Sequence, residues 1–283
     1  MSPMVDADAA NAKPRPMLRS AVVLLVVLAA AIAAAWTVVS VRAGATRRGT
    51  EIVRRLREKG LAHFLGSQPQ VHAYLATRPD GRTYGWRLVR IELADGNYAG
   101  LIVDELQDGA RAQHSTEHWQ AAADLHQVRY EASETITGQQ TRGISIAMAT
   151  PDGEPKVTVI MAKGREGIAG QGQAPGNYVP EGMLPLAIRL AAEGGKPANI
   201  MLILNNEALV PTSKGDYQPN FTSAQLRPIS PREVEVSLDS TTNTYILDER
   251  GRIVSIRYES GLVFSAVSLK ELSEKYEISQ YLK

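Results

Sequence analysis

His114-Ser115-Thr116-Glu117-His118 is the one short stretch whose residue types and spacing could carry a reaction. On a helix, imidazoles at i and i+4 share a face and can share a zinc ion, with Glu117 placed to activate a bound water. Glu193, about 75 residues beyond His118, or His126 would have to supply the third ligand. The flanks, Ala112-Gln113 and Trp119-Gln120, give the motif no supporting context, and a short pattern alone is weak evidence. The segment reads more simply as a polar loop or short helix between strands. The expectation is therefore no metal, no cofactor and no catalytic residue, with a zinc-dependent hydrolase as the alternative.

Other chemistries fall away quickly. Gly167, Gly170 and Gly172 cluster, but no Gly-Lys-Ser/Thr follows, and Pro175 stands where a dinucleotide fingerprint needs its last glycine. The stretch from Gly164 to Gly176 reads as a loop that could gate a cavity. No Gly-x-Ser-x-Gly elbow is present, and the absence of cysteine removes thiolate catalysis, disulfides and lipid attachment through cysteine. A net charge of +1 argues against a nucleic-acid partner. What remains is apolar surface of adaptable shape. Met148, Met161 and Met183, with Trp86, Leu184 and Ile188, form the expected ligand-binding set, because thioethers repack easily around irregular ligands.

The elements that must position these residues begin with an uncharged run, Ser20 to Val41, between Arg19 and Arg42. About 22 residues of helix span roughly 33 Å, enough to cross a bilayer core. The expectation is an uncleaved single-pass anchor. Ala43-Gly44-Ala45 would suit a signal peptidase, but the apolar run is too long for a signal peptide. The expected organisation is an N-terminal tail (1–19), a transmembrane helix (20–42), a basic stalk helix (43–66) and one folded domain (67–283). Ile52, Val53, Leu56, Leu61, Phe64 and Leu65 recur at helical spacing in the stalk, among Arg and Lys.

Past Tyr84 the pattern shortens to alternating runs broken by Asp-Gly and Gly-Asn turns. Ile144, Ile146 and Met148 answer Val157, Val159 and Met161 across Pro151-Asp152-Gly153-Glu154 as a hairpin. Met183 to Ala191 is apolar around most of a helical circumference, so that helix must be buried on more than one side. Strands follow at Asn199 to Leu204, Glu233 to Leu238, Asn243 to Leu247, Arg252 to Tyr258 and Leu262 to Val267. Ser268 and Glu271 would cap a last helix. The expected class is α+β: a curved antiparallel sheet with an internal plug helix and a C-terminal helix, preceded by one transmembrane helix.

This architecture, with the apolar helix after Tyr178-Val179-Pro180-Glu181-Gly182-Met183-Leu184 and the closing strands around Tyr245-Ile246-Leu247-Asp248 and Ile253-Val254-Ser255, resembles the half-barrel of bacterial lipoprotein carriers of the LolA and LolB group and of periplasmic regulators such as RseB. The resemblance implies an extracytoplasmic domain, tethered to the bacterial inner membrane, whose concave face holds a lipid-like ligand under the helix or meets an envelope protein partner. A structural scaffold in an envelope complex is a further alternative.

Overall fold

The computed structural model describes residues 16–139, 141–163 and 166–282; the side chains of 16–26, 29, 152, 163 and 166 lie outside the description. The first element is helix α1 (Pro16–Leu65), interrupted by one non-helical residue, Gly60. Contacts divide the chain into two compact units, Met1–Gly44 and Ala45–Lys283.

Within the first unit, the described residues form only the leading part of α1. Among the described residues no helix is long and apolar enough to cross a membrane. That finding overturns the expected transmembrane helix at 20–42, and the single-pass and signal-anchor readings with it. The expected tail, residues 1–19, and the first side chains of the expected span lie largely outside the described residues.

The second unit begins with the rest of α1, and its apolar stripe is core: Ala45, Ile52, Val53, Leu56, Leu61 and Leu65 are all buried. From Ala45 on, the stretch read as a basic stalk is part of this unit; Arg54 and Lys59 are exposed, whereas Arg48 donates to the Pro197 carbonyl, Arg55 pairs with Glu193 and Arg57 is half-buried. Gly60 takes φ 70°, and there the Leu61 amide leaves the helical ladder to donate to the Ala123 carbonyl at 2.7 Å. A Cβ on Gly60 would lie 3.1 Å from that carbonyl oxygen, so a side chain would be strained on two counts.

Among the described residues sixteen strands follow. They are β1 (Gln70–Thr77), β2 (Thr83–Ala94), β3 (Asn97–Asp108), β4 (Arg111–Ala122), β5 (Gln127–Ile136), β6 (Arg142–Ala149), β7 (Lys156–Lys163) and β8 (Glu166–Gln173), then helix α2 (Leu184–Gly194). After α2 come β9 (Ala198–Leu202), β10 (Leu209–Pro211), β11 (Tyr217–Pro219), β12 (Thr222–Ser230), β13 (Glu233–Leu238), β14 (Thr241–Leu247), β15 (Ile253–Arg257) and β16 (Val263–Val267), and finally α3 (Leu269–Lys275).

They form one sheet in the order β10-β11-β8-β7-β6-β5-β4-β3-β2-β1-β16-β15-β14-β13-β12-β9. Every pairing is antiparallel except β11 with β8. The ladder does not close, and its two ends are β10 and β9. At the β9 end, Val179 and Met201 share a backbone hydrogen bond, Asn177 Nδ2 donates to the Asn199 carbonyl, and α1 packs so tightly at Gly49 that a Cβ there would sit 1.7 Å from the same oxygen. That edge is covered instead of presented to another chain.

The molecule is accordingly a mostly-sheet fold, and the expected α+β class is corrected: sheet forms at 70–77, 111–122, 166–173, 209–211, 217–219 and 222–230, stretches the sequence pattern does not mark. Gly164 and Arg165 lie outside the described residues, but most of the glycine-rich stretch read as a gating loop is strand β8. Its glycines admit close neighbours, since a Cβ on Gly170 would meet the Tyr217 carbonyl oxygen at 2.7 Å.

Alternation sorts the side chains onto two faces. On β1–β3 the outward residues Ala73, Leu75, Trp86, Leu88 and Val103 pack with Leu272 and Ile278 of the C-terminal segment. Ser268 Oγ accepts from the Glu271 amide at 3.1 Å to start α3. Inside, Tyr74 and Ala76 of β1 pack with Ile256 and Phe264, while Tyr98 of β3 joins the larger core, which also takes Met183, Ala187, Ile188, Leu190 and Ala191 from α2 and its preceding turn.

Candidate functional site

A half-open cavity of about 400 Å³ lies between the inner face of β1–β5, the inner face of β14–β15 and the start of α2. Strands far apart in the sheet order share its wall, so the sheet must curl around it. Val89, Ile91, Ile102, Trp119, Ile253 and Ile256 are its apolar strand residues, and Met183, Leu184, Leu186 and Ile188 close it from the helix side. Pro185 stands in the first turn of α2, and Gly195 ends the helix at φ 61°. Gly182 is needed for the approach, since a Cβ there would lie 2.7 Å from the Trp119 ring.

Against this apolar wall sit ionisable groups. Arg87 and Asp104 face each other across the β2–β3 register and form a two-pronged ion pair at 2.6 and 2.7 Å, with the guanidinium 4.6 Å from the centre of the Phe264 ring. Burial works against the Arg87 charge, but Asp104 outweighs it and holds the guanidinium well above its ordinary range. Burial raises the Glu117 carboxyl, with Arg87 and a Tyr130 hydrogen bond partly offsetting it. Asn205 Nδ2 donates to the Tyr130 hydroxyl at 3.1 Å.

Glu181 begins the turn leading into α2. One of its oxygens, Oε1, accepts from the Ile203 amide at 2.7 Å, while Oε2 is buried with no partner among the described residues. Burial pushes its carboxyl up to about 8, although backbone hydrogen bonds pull the other way. The hydroxyl of Tyr178 is likewise buried without a partner.

Of the expected ligand-binding set, Met183, Leu184 and Ile188 line the cavity together. Met161 borders a second, neighbouring cavity, and Met148 is buried in the core without reaching either. Trp86 is on the opposite face of the sheet, its ring 6.1 Å from Tyr276 and 5.8 Å from Tyr281.

The would-be zinc motif lies on β4, and the extended backbone takes it apart. Its odd-numbered residues face inward, so Glu117 lines the cavity, while His114 and His118 are on the outer face about 14 Å apart at strand rise. His114 Nδ1 is 2.7 Å from Glu105, Glu193 meets Arg55 and Arg189, and His126 pairs with Asp124. Among the described residues no three His, Cys, Asp or Glu side chains are gathered as a metal site.

Sequence reasoning missed Arg87, Glu181 and Asn205, and saw Glu117 only as a zinc base. A signal existed for Arg87: it shares the inward stripe of β2 with Val89 and Ile91, and a charge on an apolar stripe needs a partner. Asn205 lies in an irregular stretch where no periodicity assigns a face.

No protein-family model matches the chain, and no curated protein does. Among solved structures it is similar to the crystal structure of a β-barrel-like protein from Brucella abortus, a domain of unknown function, DUF1849, with a TM-score of 0.48 and 11% identity over 71% of this chain and 97% of that one.

Proposed function

We propose that the unit Ala45–Lys283 is a binding module for an apolar, lipid-like ligand, held between the inner face of the sheet and α2. The observation that carries this reading is the cavity of about 400 Å³, walled by isoleucines, Met183 and Trp119. Natural cores leave few voids larger than a water molecule, and pockets of roughly 300–1,000 Å³ with a few placed polar groups are characteristic of ligand sites. Arg87, Glu117 and Glu181 supply those polar groups. An apolar core of this size could have been filled by larger side chains at modest cost, which favours a space kept for an occupant.

Native mass spectrometry of the freshly purified full chain is the test. A non-covalent adduct of lipid-like mass, lost in Leu184→Trp because the indole would fill the cavity, is the expected result. An adduct of equal abundance in Leu184→Trp would move the ligand elsewhere.

A further inference from the structure

A second cavity, of about 810 Å³, adjoins the first: Glu117, Asn205 and Asn206 line both. Its character is different. Where the first cavity has Trp119 from β4, the second has Gln113 and Ser115 from the same inward row, joined by Glu134 of β5 and Arg142 of β6. Ile144, Met161 and Ile168 give it one apolar side.

Resting on the reading of the first cavity as an apolar site, we infer that the two are occupied together by one amphiphile, with an alkyl tail in the first and an uncharged, polyhydroxylated, sugar-like head in the second.

Charge disfavours an anionic head. Asp104 is neutralised by Arg87, and among the other described lining residues Glu117 and Glu134 are acidic and Arg142 alone is basic. A phosphate or carboxylate head would find a single guanidinium, with the Glu134 carboxylate opposite it in the β5–β6 register, and no surplus of cations to hold it. A cationic head would find acceptors but would make no use of the Ser115 hydroxyl and the Asn206 amide as donors. Hydroxyl groups, which both donate and accept, suit amides, serine and carboxylates together. Gln113 Nε2 already donates to Glu134 Oε1 at 2.8 Å, which orients the carboxylate and leaves its other oxygen for a ligand hydroxyl. The Ile144, Met161 and Ile168 side would take the C–H face of a sugar ring.

The test uses the full chain and three amphiphiles of one tail length, dodecyl maltoside, dodecanoate and dodecylamine, each below its micelle concentration, displacing a bound apolar fluorophore. The maltoside should bind about tenfold more tightly than the other two. Ser115→Val and, separately, Gln113→Leu should each shrink that preference while leaving displacement by dodecanoate unchanged. Two variants guard against one failing to fold. Equal affinity for all three, or preference for the amine, would overturn the sugar-like head while leaving the apolar site intact. No binding of the fluorophore at all would overturn the apolar reading beneath it.

Discussion

The two faces of strands β1–β3 are built from alternate residues of the same chain, yet they finish differently. Outside, Ala73, Leu75, Trp86, Leu88 and Val103 meet Leu272, Ile278, Tyr276 and Tyr281, and the aromatic rings fill the layer. Inside, Val89, Ile91 and Ile102 meet the start of α2 and leave a cavity, with Arg87, Glu117 and Glu181 on its wall. Both faces are apolar, so hydrophobicity does not separate structure from function here. The distinction is completeness of packing: the outer layer is finished by the protein's own C-terminal segment, while the inner one is left unfinished and carries ionisable groups whose burial costs stability.

The largest effect that could break this comparison is at Trp86. Trp86→Ala should lower stability by about 3–5 kcal/mol in urea unfolding, as buried aromatic truncations do, and leave binding of an apolar dye intact. Loss of dye binding with stability unchanged would instead place Trp86 in the site.

A smaller effect sharpens the inner face. Because Glu181 has a folded-state value raised to about 8 from 4.5, the native state holds a proton that the unfolded chain has released between those pH values. Stability contributed by that proton is fully present below about pH 4.5 and is lost as pH rises toward 8, with a total of order 1–3 kcal/mol. Unfolding free energies across pH 5 to 8 should show this decline, and Glu181→Gln should flatten it. An unchanged slope in the variant would remove Glu181 from the account.

The smallest effect concerns the outer face of β4. His118→Ala should change stability by less than about 0.5 kcal/mol, and neither the wild type nor the variant should carry stoichiometric zinc by elemental analysis.

Sequence legibility followed the same division. The β6–β7 hairpin was readable because Ile144, Ile146 and Met148 alternate with small or polar residues over a packed core, and the closing strands β13–β16 were readable for the same reason. Strand β4 was not. Its inward row begins Gln113, Ser115, Glu117, since those residues border a cavity, and a strand polar on both faces has no period-2 signal. Strand β4 borders both cavities, as do β3 through Ile102 and Asp104 and β5 through Tyr130 and Glu134, so polarity of the inward row and not cavity contact alone is what hid it. The basic helical stretch from Thr50 to Leu65 showed its apolar spacing plainly, but spacing alone could not say whether that stripe met a membrane surface or the protein's own core. Met183, Leu184 and Ile188 were legible as a buried wall. The partners of that wall, Arg87 and Glu181, depend on contacts distant in sequence, which periodicity does not encode.

The most direct test of the central claim is titration of an apolar environment-sensitive dye into the full chain and into Leu184→Trp. Saturable binding at one site, weakened about tenfold or more in a Leu184→Trp protein of unchanged unfolding midpoint, is the predicted result. Equal binding by both proteins, or none by the wild type, would contradict the assignment of the cavity as a ligand site.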